Sequence, residues 1–135
     1  MKVLRAAVLV SQVALAVFYI WAGSLKTFMP MAELADIIPW TGDYSTGFVR
    51  FTGIVDLLAG LGILLPDVLH ILPRLTILAA AGSALLQVLA IVFHIWRDEF
   101  AVLLLNFSAL ALSLLILWGW GKQSSSDKIG RHNVK

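Results

Sequence analysis

None of the 135 residues is cysteine, so the chain has no disulfide, no thiolate metal ligand and no dithiol relay of its own. Charge is also scarce. Asp, Glu, Lys and Arg make up 13% of the residues, about half the share usual in soluble domains. The four prolines stand at 30, 39, 66 and 73, at the edges of the apolar stretches. What fills the chain is hydrocarbon, with 60% hydrophobic residues and a mean hydropathy of +0.92. This composition places it in a lipid bilayer as an integral membrane protein and leaves nucleic acid without a role as partner.

Charged residues avoid four segments, 6–25, 51–66 (apart from Asp56), 75–96 and 100–121. Each is near the length that crosses roughly 30 Å of hydrocarbon as a helix. The sequence therefore predicts an all-α fold, a four-helix transmembrane bundle with helices at about 5–26, 48–66, 74–96 and 100–120. MKVLR before the first run looks like the start of a secretory signal, but the run is too long and no small-x-small cleavage site closes it. It is expected to be retained as the first helix. Pro30 and Pro39 bracket MAELADII, in which Met31, Leu34, Ile37 and Ile38 share one side and Glu33 and Asp36 the other, predicting a short interfacial helix between helices one and two. Pro66 is expected to close helix two. Residues 1–121 form the expected bundle domain. Residues 122–135, KQSSSDKIGRHNVK, have no apolar period and are expected to be a basic, disordered cytoplasmic tail.

Lysine and arginine separate by side. Lys2, Arg5, Arg74, Lys122, Lys128, Arg131 and Lys135 fall on one side of the membrane, and Lys26, Arg50 and Arg97 on the other. The positive-inside rule puts both termini in the cytoplasm, the expected membrane being a bacterial inner membrane. Trp21, Trp40 and Trp96 then lie at the outer interface, Trp118 and Trp120 at the inner one.

Polar residues inside the spans keep helical spacing. Gln12, Ala16, Tyr19, Gly23 and Lys26 share a face of helix one; Gly53, Asp56 and Gly60 of helix two; Ala80, Ser83, Gln87, Ala90 and His94 of helix three; Asn106, Ala109 and Ser113 of helix four. Asp56 and Asn106 each lie about 9 Å inside their helix ends. A charged side chain at that depth costs several kcal/mol and marks a functional site or a buried partner. If the four faces converge, Lys26, Arg50, Asp56, His94, Asn106, Tyr19 and Gln87 line a polar pocket opening outward. Two readings stand side by side. The charges pair only to tie helices together, or Asp56 and His94 exchange protons with a bound quinone or other small lipophilic molecule while Lys26 or Arg50 stabilises negative charge. One His and one Asp are too few for a metal or haem site.

AGSLK at the end of helix one (Gly23, Lys26), VRFTGIVDLLAGLGILLP through helix two (Arg50, Gly53, Asp56, Gly60, Pro66) and LTILAAAGSALLQVLAIVFHI in helix three (His94) resemble the DoxX-like family of small four-helix membrane proteins over roughly residues 6–120. In that family's pattern the position of Asp56 is usually Glu, and a shorter carboxylate changes its reach. The resemblance implies one of two roles. One is an accessory or redox-linked membrane subunit, since relatives include a subunit of an archaeal thiosulfate:quinone oxidoreductase. The other is a non-catalytic assembly factor or chaperone with a membrane-protein partner, since relatives also include maturation factors for periplasmic enzymes and an animal chaperone for nicotinic acetylcholine receptors.

Overall fold

The computed structural model describes residues 1–132, with side chains at all of these but 73, 127, 131 and 132. Five helices follow in order: α1 (Lys2–Phe28), α2 (Met31–Ile37), α3 (Thr46–Val68), α4 (Pro73–Trp96) and α5 (Leu103–His132), with 3-10 turns at Pro39–Asp43 and Phe100–Val102. All but α2 are long and apolar enough to cross a membrane. Consecutive long helices run antiparallel. α1 packs on α3 and α5, and α4 packs on α3 and α5, which closes a ring with α1 and α4 across the diagonal. We call the end where α1 begins the near end, and the end carrying α2 and the α4–α5 turn the far end.

Bilayer tails are as apolar as leucine, so such helices associate through close backbone approach and interhelical hydrogen bonds. The α1–α3 seam is the closest. A Cβ added to Gly53 would lie 2.6 Å from Thr27 Oγ1 and 2.9 Å from the Thr27 nitrogen, and one on Gly23 would lie 2.8 Å from the Gly53 carbonyl oxygen. Gly60 meets the backbone of Ala16 in the same way. The small-residue face of α3 is therefore turned onto α1, with Val49, Asp56 and Ile63 buried along it.

Two helix ends differ from expectation for local reasons. Pro66 does not close α3, which continues to Val68. Proline disturbs the turn before it and leaves the next residues free to stay helical. The helix then ends in a Schellman cap, His70 donating to the Asp67 carbonyl and Ile71 to that of Pro66, with His70 in the left-handed region at φ 54°. α4 ends the same way. Asp98 (φ 57°) donates to Ile95 and Glu99 to His94. Beyond the bilayer-length part of α5, where the lack of an apolar period predicts disorder, the helix runs on to His132; extending an existing helix needs no new nucleus. The expectation for 133–135 lies outside the described residues.

The seam gives a direct test. Gly53→Ala must push α1 from α3 against backbone atoms, and we expect a loss of about 1–3 kcal/mol. Gly82→Ala meets nothing within 4 Å and should melt like the parent in detergent. Equal behaviour of the two variants would show that the seam is slack.

Candidate functional site

At the far end Lys26 Nζ lies 2.6 Å from Asp56 Oδ2. The residues are 9% and 6% exposed, so little water reaches the pair. Lys26 projects from the last turn of α1, and its neighbour Gly53 lets α3 approach so closely that the carboxylate one turn further along meets the ammonium. The Trp40 ring, carried on the 3-10 turn after α2, covers Lys26 Nζ at 5.7 Å, a cation–π contact that suits a desolvated ammonium.

Arg50 and His94 do not join this pair. A helical side chain leans toward its own N-terminus, which takes Arg50 away from Asp56. Its guanidinium donates instead to the carbonyls of Lys26 (2.8 Å) and Met29 (2.7 Å), satisfying groups at the end of α1 that the helix leaves unbonded. His94 Nδ1 pairs with Glu99 Oε2 at 2.7 Å, because the Schellman turn folds Glu99 back over the last turn of α4. Arg97 joins the same network through Glu99 (2.9 Å) and Asp43 (2.5 Å). Burial pushes the Glu99 carboxyl up, but the His94 ring and the Arg97 guanidinium outweigh it and hold the group below the usual carboxylate range. Nothing in local spacing shows that a turn returns on its own helix, so the sequence does not reveal the contacts of Glu99 with His94 and Arg97, or of Arg97 with Asp43.

Deeper in, Tyr19 reaches across the diagonal. Its hydroxyl lies 2.7 Å from Ser83 Oγ, Ser83 lies 2.7 Å from Ser113 Oγ, and Gln87 Nε2 donates to the tyrosine oxygen at 2.7 Å. Each hydroxyl has one proton, and Ser113 spends its own on the Ala109 carbonyl. The direction is thereby settled: Gln87 donates to Tyr19, Tyr19 to Ser83, and Ser83 to Ser113. Such a polarised chain strengthens itself in low dielectric and joins α1, α4 and α5. Two buried atoms just outside the chain lack partners among the described residues, the acceptor Gln87 Oε1 and the donor Asn106 Nδ2. The Ser83–Ser113 contact sets the register of α4 on α5, so Gln87, one turn outward, and Asn106, two turns outward, differ in depth by about one turn, roughly 5 Å.

The seven candidates thus divide into three groups: the Lys26–Asp56 pair, the Tyr19–Gln87 chain with Asn106 beside it, and Arg50 and His94 in separate roles at the rim. Cavities are found at the opposite end, one of about 480 Å³ beside Asp67 and His70 and another of about 190 Å³ beside Gln12 and Trp120.

Ring topology, lipid-length helices and a polar interior define a polytopic integral membrane protein of the four-helix type. A family model described as the DoxX-like family matches residues 10–116, and the chain belongs to that family. No curated protein and no solved structure matches significantly.

Breaking the buried pair strands an ion. Asp56→Ala should cost about 3–5 kcal/mol, whereas Lys26→Met with Asp56→Leu removes both charges and should recover most of that loss. A double variant no more stable than the single one in detergent melting would mean that the pair is solvated.

Proposed function

We propose that the protein is an accessory membrane subunit whose far-end interior holds the polar head of a small lipophilic molecule, with a quinone as the best match. The observation that carries this reading is the pair of buried atoms unpartnered among the described residues, Gln87 Oε1 and Asn106 Nδ2, in the half of the bundle that also holds the Lys26–Asp56 pair. A buried amide left unsatisfied costs about 1–3 kcal/mol, a penalty that a ligand carbonyl accepting from Asn106 and a ligand hydroxyl donating to Gln87 would remove. Quinone and quinol supply these two groups in their two redox states. The chain has no cysteine, so electrons for such a molecule would come from a partner protein.

One observation favours a second reading. Lys26 and Asp56 are already closed on each other, and two cavities lie at the other end. In that case the interior is scaffold, and the protein acts through its lipid-facing surface as an assembly factor for another membrane protein.

Extraction in mild detergent followed by analysis of lipid-soluble molecules and co-purifying proteins separates the two. The first reading expects near-stoichiometric quinone that is lost in Asn106→Leu and Gln87→Leu while both variants still fold. A parent free of quinone but bound to one stoichiometric membrane protein would replace it with the second.

We also infer that the near end is cytoplasmic in a bacterial inner membrane. Seven of the ten Lys and Arg residues belong to that end by sequence. All three at the far end are engaged, Lys26 and Arg97 with carboxylates and Arg50 with carbonyls. The cysteine-free chain allows clean labelling. In intact spheroplasts an impermeant thiol reagent should reach Gly42→Cys, and reach Ser124→Cys only after permeabilisation. The reverse pattern would invert the orientation.

A further inference from the structure

The near end carries a second polar site, independent of the far-end interior. Gln12 is 0% exposed. Its Nε2 donates across the seam to the Ile63 carbonyl at 3.0 Å, which fixes the amide orientation, since the reverse would set two oxygens against each other. Gln12 Oε1 is left without a partner among the described residues. Gln12 is among the residues lining the cavity of about 190 Å³ between α1, the end of α3 and α5. Trp120 lines the same cavity, and its Nε1–H is also buried and unpartnered. Two residues lining one space thus each hold a buried polar atom without a partner among the described residues, one an acceptor and the other a donor.

That space adjoins the cavity of about 480 Å³, and Arg5, Asp67, Trp120 and Gln123 line both. One wall opens sideways. Leu9 lines the smaller cavity and is 47% exposed on the apolar flank of α1, so a molecule seated here would keep an acyl chain in the bilayer. The polar wall offers positive and donating groups, Arg5, Trp120 Nε1–H and Gln123, together with two acceptors, Asp67 and Gln12 Oε1. A simple anion would meet the Asp67 carboxylate without compensation. A group holding both an anionic phosphate and a hydrogen-bond donor satisfies both halves of the wall.

We propose that this cleft binds a glycerophospholipid headgroup that carries a donor next to its phosphate, as the ammonium of phosphatidylethanolamine or the hydroxyls of phosphatidylglycerol do. Arg5 and Trp120 hold the phosphate, and Gln12 and Asp67 accept from the donor. A free phosphate compound shares the first half of this chemistry but has neither the donor nor the acyl chain.

The test is native mass spectrometry of the full chain in detergent with added phosphatidylethanolamine, phosphatidylglycerol or phosphatidylcholine, and with inorganic phosphate as competitor. The first two lipids should be retained about tenfold better than phosphatidylcholine, whose trimethylammonium cannot donate, a ratio in keeping with one charge-assisted hydrogen bond. Arg5→Gln sits at an exposed position, and Trp120→Phe keeps the ring while removing the N–H; each should weaken retention severalfold without lowering the melting temperature measured in lipid-free detergent. Equal retention of phosphatidylcholine, or retention unchanged in both variants, would overturn the assignment. Displacement of lipid by millimolar inorganic phosphate would assign the cleft to a soluble anion instead and also overturn it. If Trp120→Phe fails to fold, Arg5→Gln decides alone.

Discussion

A carboxylate at the depth of Asp56 must find a positive partner or give up its charge, and much of the far end is arranged so that the partner is Lys26. The ammonium reaches it only because α1 and α3 approach through Gly23, Gly53 and Gly60, where added Cβ atoms would strike backbone. Once that seam is closed, Arg50 is delivered to the open end of α1 and satisfies carbonyls there. Trp40 closes over the ammonium from the turn after α2. In water a pair of this kind contributes little, but in hydrocarbon the cost of losing one partner makes it a strong constraint on which helices are neighbours.

α1, α4 and α5 are joined by a different chemistry. Tyr19, Ser83 and Ser113 pass single protons in one direction from the amide of Gln87 to a backbone carbonyl of α5. Neutral hydroxyls avoid the desolvation penalty of ions. The buried polar atoms without partners among the described residues fall toward the two ends, those of Thr27, Gln87 and Asn106 toward the far end and those of Gln12, Thr76 and Trp120 toward the near end. These are places where the helices cease to match one another's donors and acceptors, and it is at such mismatches that a membrane protein has something to offer a ligand.

Charge is also segregated along the bundle axis. Acidic residues gather at the far end, where Asp43, Asp56 and Glu99 engage Lys26 and Arg97 and Arg50 is held by carbonyls, while Arg5 lines the cleft of the near end. The two ends therefore differ in the charge that they present.

Much of the fold was legible in the sequence. Long apolar runs need to cross a bilayer, and a period of 3.6 residues places Gln12, Tyr19, Lys26, Asp56, Gln87 and Asn106 on inward faces whatever the neighbours are, because both are properties of a single helix. The choice of partner was not legible. Asp56 had Lys26, Arg50 and His94 within plausible depth, and only the ring order and the α1–α3 contact distance select Lys26. His94 went to Glu99 because a left-handed Asp98 turned the chain back, and Pro66 failed to end its helix because a proline constrains the turn behind it rather than the one ahead. Those outcomes depend on distances between elements and on the sense of a turn, which a linear pattern does not encode; the inward faces depend on spacing along one helix, which it does.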